Sequence, residues 1–313
     1  SGTESAITIN YKTMSKFGLI GDPIATSLSP VLFNAGYSGE LEYDLIEGND
    51  FDASWKSFLD EYDGINVTAP FKEKAFRKAE LFTPYCRKIG ASNLIVKTPD
   101  GLLADNSDFT GIICSIAEAY FPGIVAEFCG TFGERAHIKV HQFFRQMSER
   151  IFPQKPQALI VGCGGAGRAA AVAAAELGFD TALMNRTAEK AQKIADELPE
   201  YNFIVDPVTD FRPALKECEL VIYTLPMKLD AIDSLTTEDF AGENPSAGPA
   251  KVILEANYKT PSFSGAAMDR INAAGCRYVS GREWLLYQAV TGYLRLTGRQ
   301  PDCGAMSEAI RRV

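Results

Sequence analysis

Ala158-Leu-Ile-Val-Gly-Cys-Gly-Gly-Ala-Gly-Arg168 is the stretch on which the reading of this chain turns. Ala158 to Val161 is a short apolar run that predicts a strand. Gly162 to Gly167 is a turn, and the Ala-rich segment from Arg168 to Leu177 predicts a helix. In that setting the spacing Gly162-x-Gly164-x-x-Gly167 acquires meaning. Glycines permit a tight turn and let a pyrophosphate approach the backbone amides, and a helix N-terminus favours its negative charge. An ordinary Gly-rich loop is the competing reading. It is the weaker one, because strand, glycines and helix arrive together. Gly162, Gly164, Gly165, Ala166 and Gly167 are therefore candidate contacts to a dinucleotide.

The next predicted strand, Thr181-Ala-Leu-Met184, runs into Asn185-Arg186-Thr187. An NAD site usually places a carboxylate here for the ribose hydroxyl, and this chain has none. A guanidinium presents a rigid fork of donors to a 2′-phosphate, so Arg186, with Lys190 one turn on, favours NADP over NAD. A solvated arginine at a strand end is the alternative. Leu220-Val-Ile-Tyr223 and Val252-Ile-Leu254 read as later strands of the same sheet, and Gly242 to Pro249 as a loop.

Toward the N-terminus the same alternation recurs. Phe17-Gly-Leu-Ile20 is a short buried run broken by Gly21-Asp-Pro23, and a helical pattern follows Pro30. Trp55-Lys-Ser-Phe-Leu59 leads into Gly64-Ile-Asn-Val-Thr68, and a Lys/Glu-rich helix opens at Pro70. Such alternation implies an α/β fold with a mainly parallel sheet, helices on both faces, and ligands at the carboxyl ends of the strands. Glu283 to Gly298 and Met306 to Arg312 are helical, and return to the first sheet. The expected organisation is two domains: a substrate and catalytic domain over 14–108, completed by 283–313, and a Rossmann-type NADP-binding domain over 109–282.

Composition excludes several classes. The 313 residues are 46% hydrophobic and 23% charged, the balance of a globular protein. Net charge is −9, which argues against nucleic-acid binding because phosphate affinity rests on clustered Lys and Arg. Seven scattered cysteines form no C-x-x-C pair and fit a reducing, cytoplasmic setting. No run of about 18 apolar residues exists to span a bilayer, and no signal peptide is recognisable. Ser1 to Thr13, ahead of Met14, is left out of the fold, and its removal is expected to be harmless. The expected assembly is a monomer or homodimer.

Four polar clusters remain. Ser27 and Ser29 flank Leu28, their hydroxyls on one side of an extended segment with a helix start beyond, where hydroxyls and amides suit a carboxylate. Capping of that helix by Ser29 is compatible with this role. Asn66-Val-Thr68-Ala-Pro-Phe-Lys72 puts three polar side chains past a strand end. Taken alone, Lys72 would be read as a solvated helix lysine. Gly90-Ala-Ser-Asn93 and Ala104-Asp-Asn-Ser-Asp108 add Asn93 and Asp108.

The order S-x-S, N-V-T-x-P-x-K, G-A-x-N, D-N-x-D, G-x-G-G-A-x-R, N-R-T resembles the shikimate dehydrogenase family. The resemblance runs from about Phe17 to the end, taking in Gly281-Arg-Glu-Trp-Leu-Leu-Tyr-Gln288 and Thr297-Gly-Arg-Gln-Pro301. It implies NADPH-dependent reduction of 3-dehydroshikimate to shikimate in aromatic amino acid (chorismate) biosynthesis. It further implies carboxylate binding by Ser27 and Ser29, and contacts to ring hydroxyls or the ketone from Asn66, Thr68, Asn93 and Gln288. Tyr258 would lie near the substrate, with Lys72 and Asp108 as the catalytic pair. Lys72 would be the proton donor, with Asp108 holding and aiming its ammonium. Alternatives are quinate or a related hydroxylated cyclohexane carboxylate as substrate, or a non-catalytic dinucleotide-sensing protein.

The chain departs from the family at several places. Leu94 and Ser107 stand where the family has threonine, and Tyr223-Thr-Leu-Pro226 replaces N-A-T-P. An insertion at about 122–155 carries His137 and His141, four apart, which is metal-ligand spacing. Two ligands without a third favour a solvated helix, and no metal is expected. Phe128, Phe132, Phe143, Phe144 and Phe152 give the insertion an apolar side to cover a hinge or meet a second subunit.

Overall fold

The computed structural model describes residues 15–128, 136–243 and 248–313. The expectation for Ser1 to Thr13 and the position of Phe132 lie outside those residues, and nothing is described of the Phe128 side chain.

Two six-stranded sheets organise the chain. The first contains β1 (Lys16–Gly21), β2 (Glu42–Glu47), β3 (Gly64–Val67), β4 (Leu81–Phe82), β5 (Leu94–Thr98) and β6 (Gly101–Asp105). Their order is β2-β1-β3-β5-β6-β4. All neighbours are parallel except that β5 runs against both β3 and β6. The mainly parallel sheet read from the sequence is present, with this one reversed strand. β6 returns beside β5 through a tight turn at Pro99-Asp100, where Gly101 takes φ +134°, a conformation that glycine adopts without steric penalty.

The second sheet contains β7 (Gln157–Val161), β8 (Asp180–Met184), β9 (Ile204–Val205), β10 (Leu220–Tyr223), β11 (Val252–Glu255) and β12 (Arg277–Val279). Its order is β12-β11-β10-β7-β8-β9, parallel throughout. Burial on both faces explains the unbroken apolar runs, since a sheet covered by helices has no polar face.

Register decides what meets what. Val161 is level with Met184 and Tyr223, and Tyr223 with Glu255. The glycine turn, Asn185–Thr187, Thr224 and Ala256–Lys259 therefore emerge at one edge. In the first sheet Ile20 is level with Val67, Asn66 with Leu94, and Leu94 with Asp105. Because β5 is reversed, Asn93 enters the sheet at the edge where Thr68 and Asn106 leave it.

The helix Ser107–Tyr120 is buried over most of its length and packs against both Gly281–Thr297 and Gly165–Glu176. The last two helices, Gly281–Thr297 and Cys303–Arg311, return to the first sheet. Tyr293, Leu296, Met306 and Ile310 join Phe17, Leu32, Phe33 and Tyr37 in one apolar cluster. Each such side chain contributes about 1.5–3 kcal/mol by leaving water. In Gly165–Glu176, Ala169, Ala170, Ala171, Ala173 and Ala174 are fully buried, so small side chains let this helix lie close to its sheet.

The insertion corrects the expectation of a solvated helix. Ala136–Ile151 buries Val140 and Phe144, four apart, and Phe144 lies beside Tyr120, Phe121 and Phe179. His141 Nε2 lies 2.9 Å from the Glu176 carbonyl, which also accepts from Arg145 at 3.0 Å. The helix thus covers apolar surface and satisfies a carbonyl left over at the end of Gly165–Glu176. Among the described residues no three or more His, Cys, Asp or Glu are grouped to hold a metal.

His137 faces a separate cavity beside Asp105, Thr110 and Arg295. Burial holds its imidazole below the ordinary range; Asp105 opposes this, and His141 and Arg295 reinforce it. The unfolded chain then binds more protons below its ordinary value of about 6.5, so stability falls as pH drops through that window toward the lowered native value. His137→Gln is expected to flatten the decline of Tm between about pH 7 and pH 5. Parallel melting curves for the two proteins across that range would rule this out.

Candidate active site

A cavity of about 290 Å³ lies between the two sheet edges, and all nine sequence-predicted catalytic and substrate residues line it. The first sheet and its loops contribute Ser27, Ser29, Asn66, Thr68, Lys72, Asn93 and Asp108. Tyr258 comes from the loop after β11, and Gln288 from the helix Gly281–Thr297.

Lys72 Nζ donates to Asp108 Oδ2 at 2.6 Å, with both side chains largely removed from solvent. Lys72 opens the helix Lys72–Lys78, two residues later than the Pro70 start read from the sequence. Its carbonyl accepts from the Ser92 amide at 2.9 Å, which ties it to the loop before Asn93. Asp108 lies in the first turn of Ser107–Tyr120, where a carboxylate is favoured by the helix dipole. The Trp284 indole donates to the Asp108 carbonyl at 3.2 Å.

Ser27 and Ser29 reach the cavity by a different route from the one expected. Leu28 has φ −82° and ψ −5°, so the segment bends there and is not extended. Ser29 is the first helical residue and makes no cap; the Ser27 hydroxyl accepts from the Ser29 amide at 3.2 Å. Ser27 thereby takes the local bonding role that had been given to Ser29.

Asn66 is oriented by two neighbours. The Tyr43 hydroxyl donates to its Oδ1 at 2.8 Å, and its Nδ2 donates to the Asn93 carbonyl at 3.4 Å. Burial pushes the Tyr43 phenol far above its usual range, so it remains a donor. Tyr43 was missed in the sequence because β2 carries no motif. Trp284 and Lys259 were missed too. Lys259 lies in the loop after β11, and its ammonium donates to the Thr26 hydroxyl across the cavity mouth. The rule that ligands gather at strand ends would have flagged it. Burial likewise raises the Tyr258 phenol, opposed by a backbone hydrogen bond at Leu28.

The glycine turn borders the same cavity. A side chain at Gly165 would begin 2.9 Å from Lys72 Cβ and Cδ, and Ala166 is part of the cavity wall. Gly162 has φ +102°, and a Cβ there would meet the Thr224 hydroxyl at 2.3 Å. At Gly167 it would meet the Gly162 carbonyl at 1.9 Å, whereas at Gly164 nothing lies within 4 Å. The turn is as narrow as backbone allows, with open space over Gly164 and a helix N-terminus behind it. That geometry fits a pyrophosphate.

Asn185 Oδ1 accepts from the Cys163 amide at 3.0 Å, locking β8 to the turn. Burial pushes the Cys163 thiol up to about 12, so it is not a reactive thiolate. Arg186 is exposed and rests against the Met227 sulfur, and the Lys190 amide donates to the Thr187 carbonyl at 3.1 Å. No carboxylate stands among residues 184–187, and an exposed guanidinium with a lysine a turn away suits a 2′-phosphate.

Comparison with known proteins bears on both halves. Residues 19–95 match the shikimate dehydrogenase substrate binding domain, and residues 146–242 match shikimate / quinate 5-dehydrogenase. The chain is 30% identical over 258 residues to the pentafunctional AROM polypeptide of Candida tropicalis, covering 79% of this chain but only 15% of that much longer protein. Shikimate dehydrogenase (NADP(+)) of Caulobacter vibrioides is 30% identical, with 91% of this chain and 90% of that protein covered. The crystal structure of Mycobacterium tuberculosis shikimate dehydrogenase superposes with a TM-score of 0.71 at 26% identity, covering 96% of this chain and all of that one. Family matches in both halves and a bacterial relative aligned along nearly its whole length make this chain a member of the shikimate dehydrogenase family.

Proposed function

We propose that the protein catalyses the NADPH-dependent reduction of 3-dehydroshikimate to shikimate, a step of aromatic amino acid (chorismate) biosynthesis. The observation that carries this reading is the Lys72–Asp108 pair, 2.6 Å apart, facing the glycine turn across one cavity. NADPH, when bound, supplies the hydride. Lys72 Nζ gives its proton to the substrate carbonyl oxygen as that oxygen becomes a hydroxyl, and its positive charge stabilises the developing anion. Asp108 Oδ2 fixes the direction of the ammonium. Ser27 and Ser29 hold the substrate carboxylate with Tyr258 beside them, and Asn66, Thr68, Asn93 and Gln288 bind the ring oxygens.

The glycine turn at Gly162, Gly164, Gly165, Ala166 and Gly167 holds the pyrophosphate, and Asn185, Arg186, Thr187 and Lys190 the adenosine end. We place the domain division as the sequence reading has it: 14–108 with 283–313 binding substrate, and 109–282 binding cofactor. We further propose a cytoplasmic monomer or homodimer. Among the described residues no helix is long and apolar enough to cross a membrane.

Absorbance at the NADPH band, followed with 3-dehydroshikimate, tests the reaction. Consumption supports it; none would leave a dinucleotide-sensing protein in its place. The reverse assay with shikimate and quinate assigns the ring. Arg186→Ala is expected to weaken NADP+ about 10- to 100-fold, the scale of a lost charge-assisted contact, and to leave NAD+ unchanged. Equal losses for both cofactors would remove the 2′-phosphate role.

A further inference from the structure

We propose that Ser107, which lies outside the substrate cavity, is the positioning residue that fixes which way the Asn93 and Gln288 amides face. This deepens the function above and rests on shikimate being the ligand. The Ser107 backbone N–H donates to Asn93 Oδ1 at 2.8 Å. A backbone N–H can only donate, so that atom must be oxygen and the other end of Asn93 must be nitrogen. Asn93 Nδ2 then donates to Ser107 Oγ at 2.8 Å and to Gln288 Oε1 at 3.3 Å. Ser107 Oγ in turn donates to Gln288 Oε1 at 3.2 Å. Gln288 Nε2 faces the Leu285 carbonyl at 3.1 Å, the polarity this chain of bonds demands.

One backbone donor and one hydroxyl thus dictate the orientation of two carboxamides that come from distant parts of the chain. Each keeps one valence for the cavity: Asn93 an acceptor lone pair, Gln288 a donor hydrogen. That pattern discriminates among ring hydroxyls, because a mismatched partner leaves a buried polar group unpaired. Ser107 is 3% exposed, and Gly292 has no side chain to crowd it: a Cβ there would lie 2.6 Å from Ser107 Oγ. Removing Oγ keeps the Ser107 N–H on Asn93 Oδ1 but takes from Asn93 Nδ2 and Gln288 Oε1 their shared partner, so Asn93 loses a bond and Gln288 is freed to turn. Threonine preserves the hydroxyl, and Ser107 borders a cavity of about 240 Å³ together with Thr110, His137 and Thr291.

Trp284 lines the substrate cavity whereas Trp55 sits in the first-sheet core, so tryptophan fluorescence titrated with shikimate reads the site directly. Ser107→Ala is expected to weaken shikimate about tenfold and Ser107→Thr by less than about threefold, the scale of one or two lost buried hydrogen bonds. NADP+ affinity should be the same in all three proteins. Unchanged shikimate binding in Ser107→Ala, or equal losses in the alanine and threonine variants, overturns the inference. A wild-type protein that binds no shikimate overturns the substrate assignment and this inference together, whereas firm wild-type binding with an unaffected Ser107→Ala overturns the inference alone.

Discussion

Lys72→Ala lowers kcat by roughly 10²-fold or more, while the affinity for NADP+ stays near that of the wild type. The size follows from what is lost. Positioned acid–base assistance is worth about 10²–10⁴ in rate, and a hundredfold corresponds to about 2.7 kcal/mol of transition-state stabilisation. The interaction belongs to the transition state, where charge develops on the substrate oxygen, so kcat should fall more than KM rises. The fold should survive. Lys72 lies in the first turn of a short helix, and that helix is held by the Phe71 and Ala75 side chains, both fully or almost fully buried. Steady-state kinetics in both directions, with a far-ultraviolet spectrum to verify folding, measure this. A kcat within a few-fold of wild type would end the assignment of Lys72 as the proton donor.

The second large effect is structural in origin and falls on the cofactor. Gly167→Ala places a methyl 1.9 Å from the Gly162 carbonyl oxygen, and the other side of that contact is backbone, which cannot swing aside. Overpacking of this kind costs roughly 1–3 kcal/mol. Relief requires the helix Gly165–Glu176 to move away from the turn, which breaks the arrangement of amides over Gly164. Both Tm and NADP+ affinity should fall. Gly164→Ala is the control, because its added methyl meets nothing within 4 Å, and its backbone φ of −78° is open to alanine. It should melt like the wild type. If Gly167→Ala bound NADP+ as firmly as the wild type, the close packing of turn against helix would not be what shapes the pyrophosphate site.

Much of this was legible one segment at a time. Strand, glycine turn and helix at Ala158–Leu177 are adjacent in the chain, and their meaning follows from local conformational limits: glycines for a narrow turn, alanines for a close-lying helix. The absence of a carboxylate after Met184 is equally local. The polar clusters around Ser27, Asn66, Asn93 and Asp108 could each have been turn or cap residues, and only their order along the chain, matched to a known family, made them a site.

Local reading failed where the partner of a residue lies far away in sequence. Leu28 takes a helical conformation, so the two flanking hydroxyls do not share an extended face. The insertion helix looked solvated because the carbonyl that His141 and Arg145 serve belongs to Glu176, on another helix. Tyr43 gains its role only from Asn66, and Lys259 only from Thr26.

Residue types, strand ends and the glycine geometry were thus written in neighbouring residues, because backbone sterics act over a few positions. Which side chains meet was settled by the register of two sheets and by one reversed strand. Lys72 finds Asp108 across 36 positions and Asn93 finds Gln288 across 195. The bonds that orient those amides come from one backbone N–H and one hydroxyl of Ser107 that no motif records, since hydrogen bonds are made in space and not along the chain.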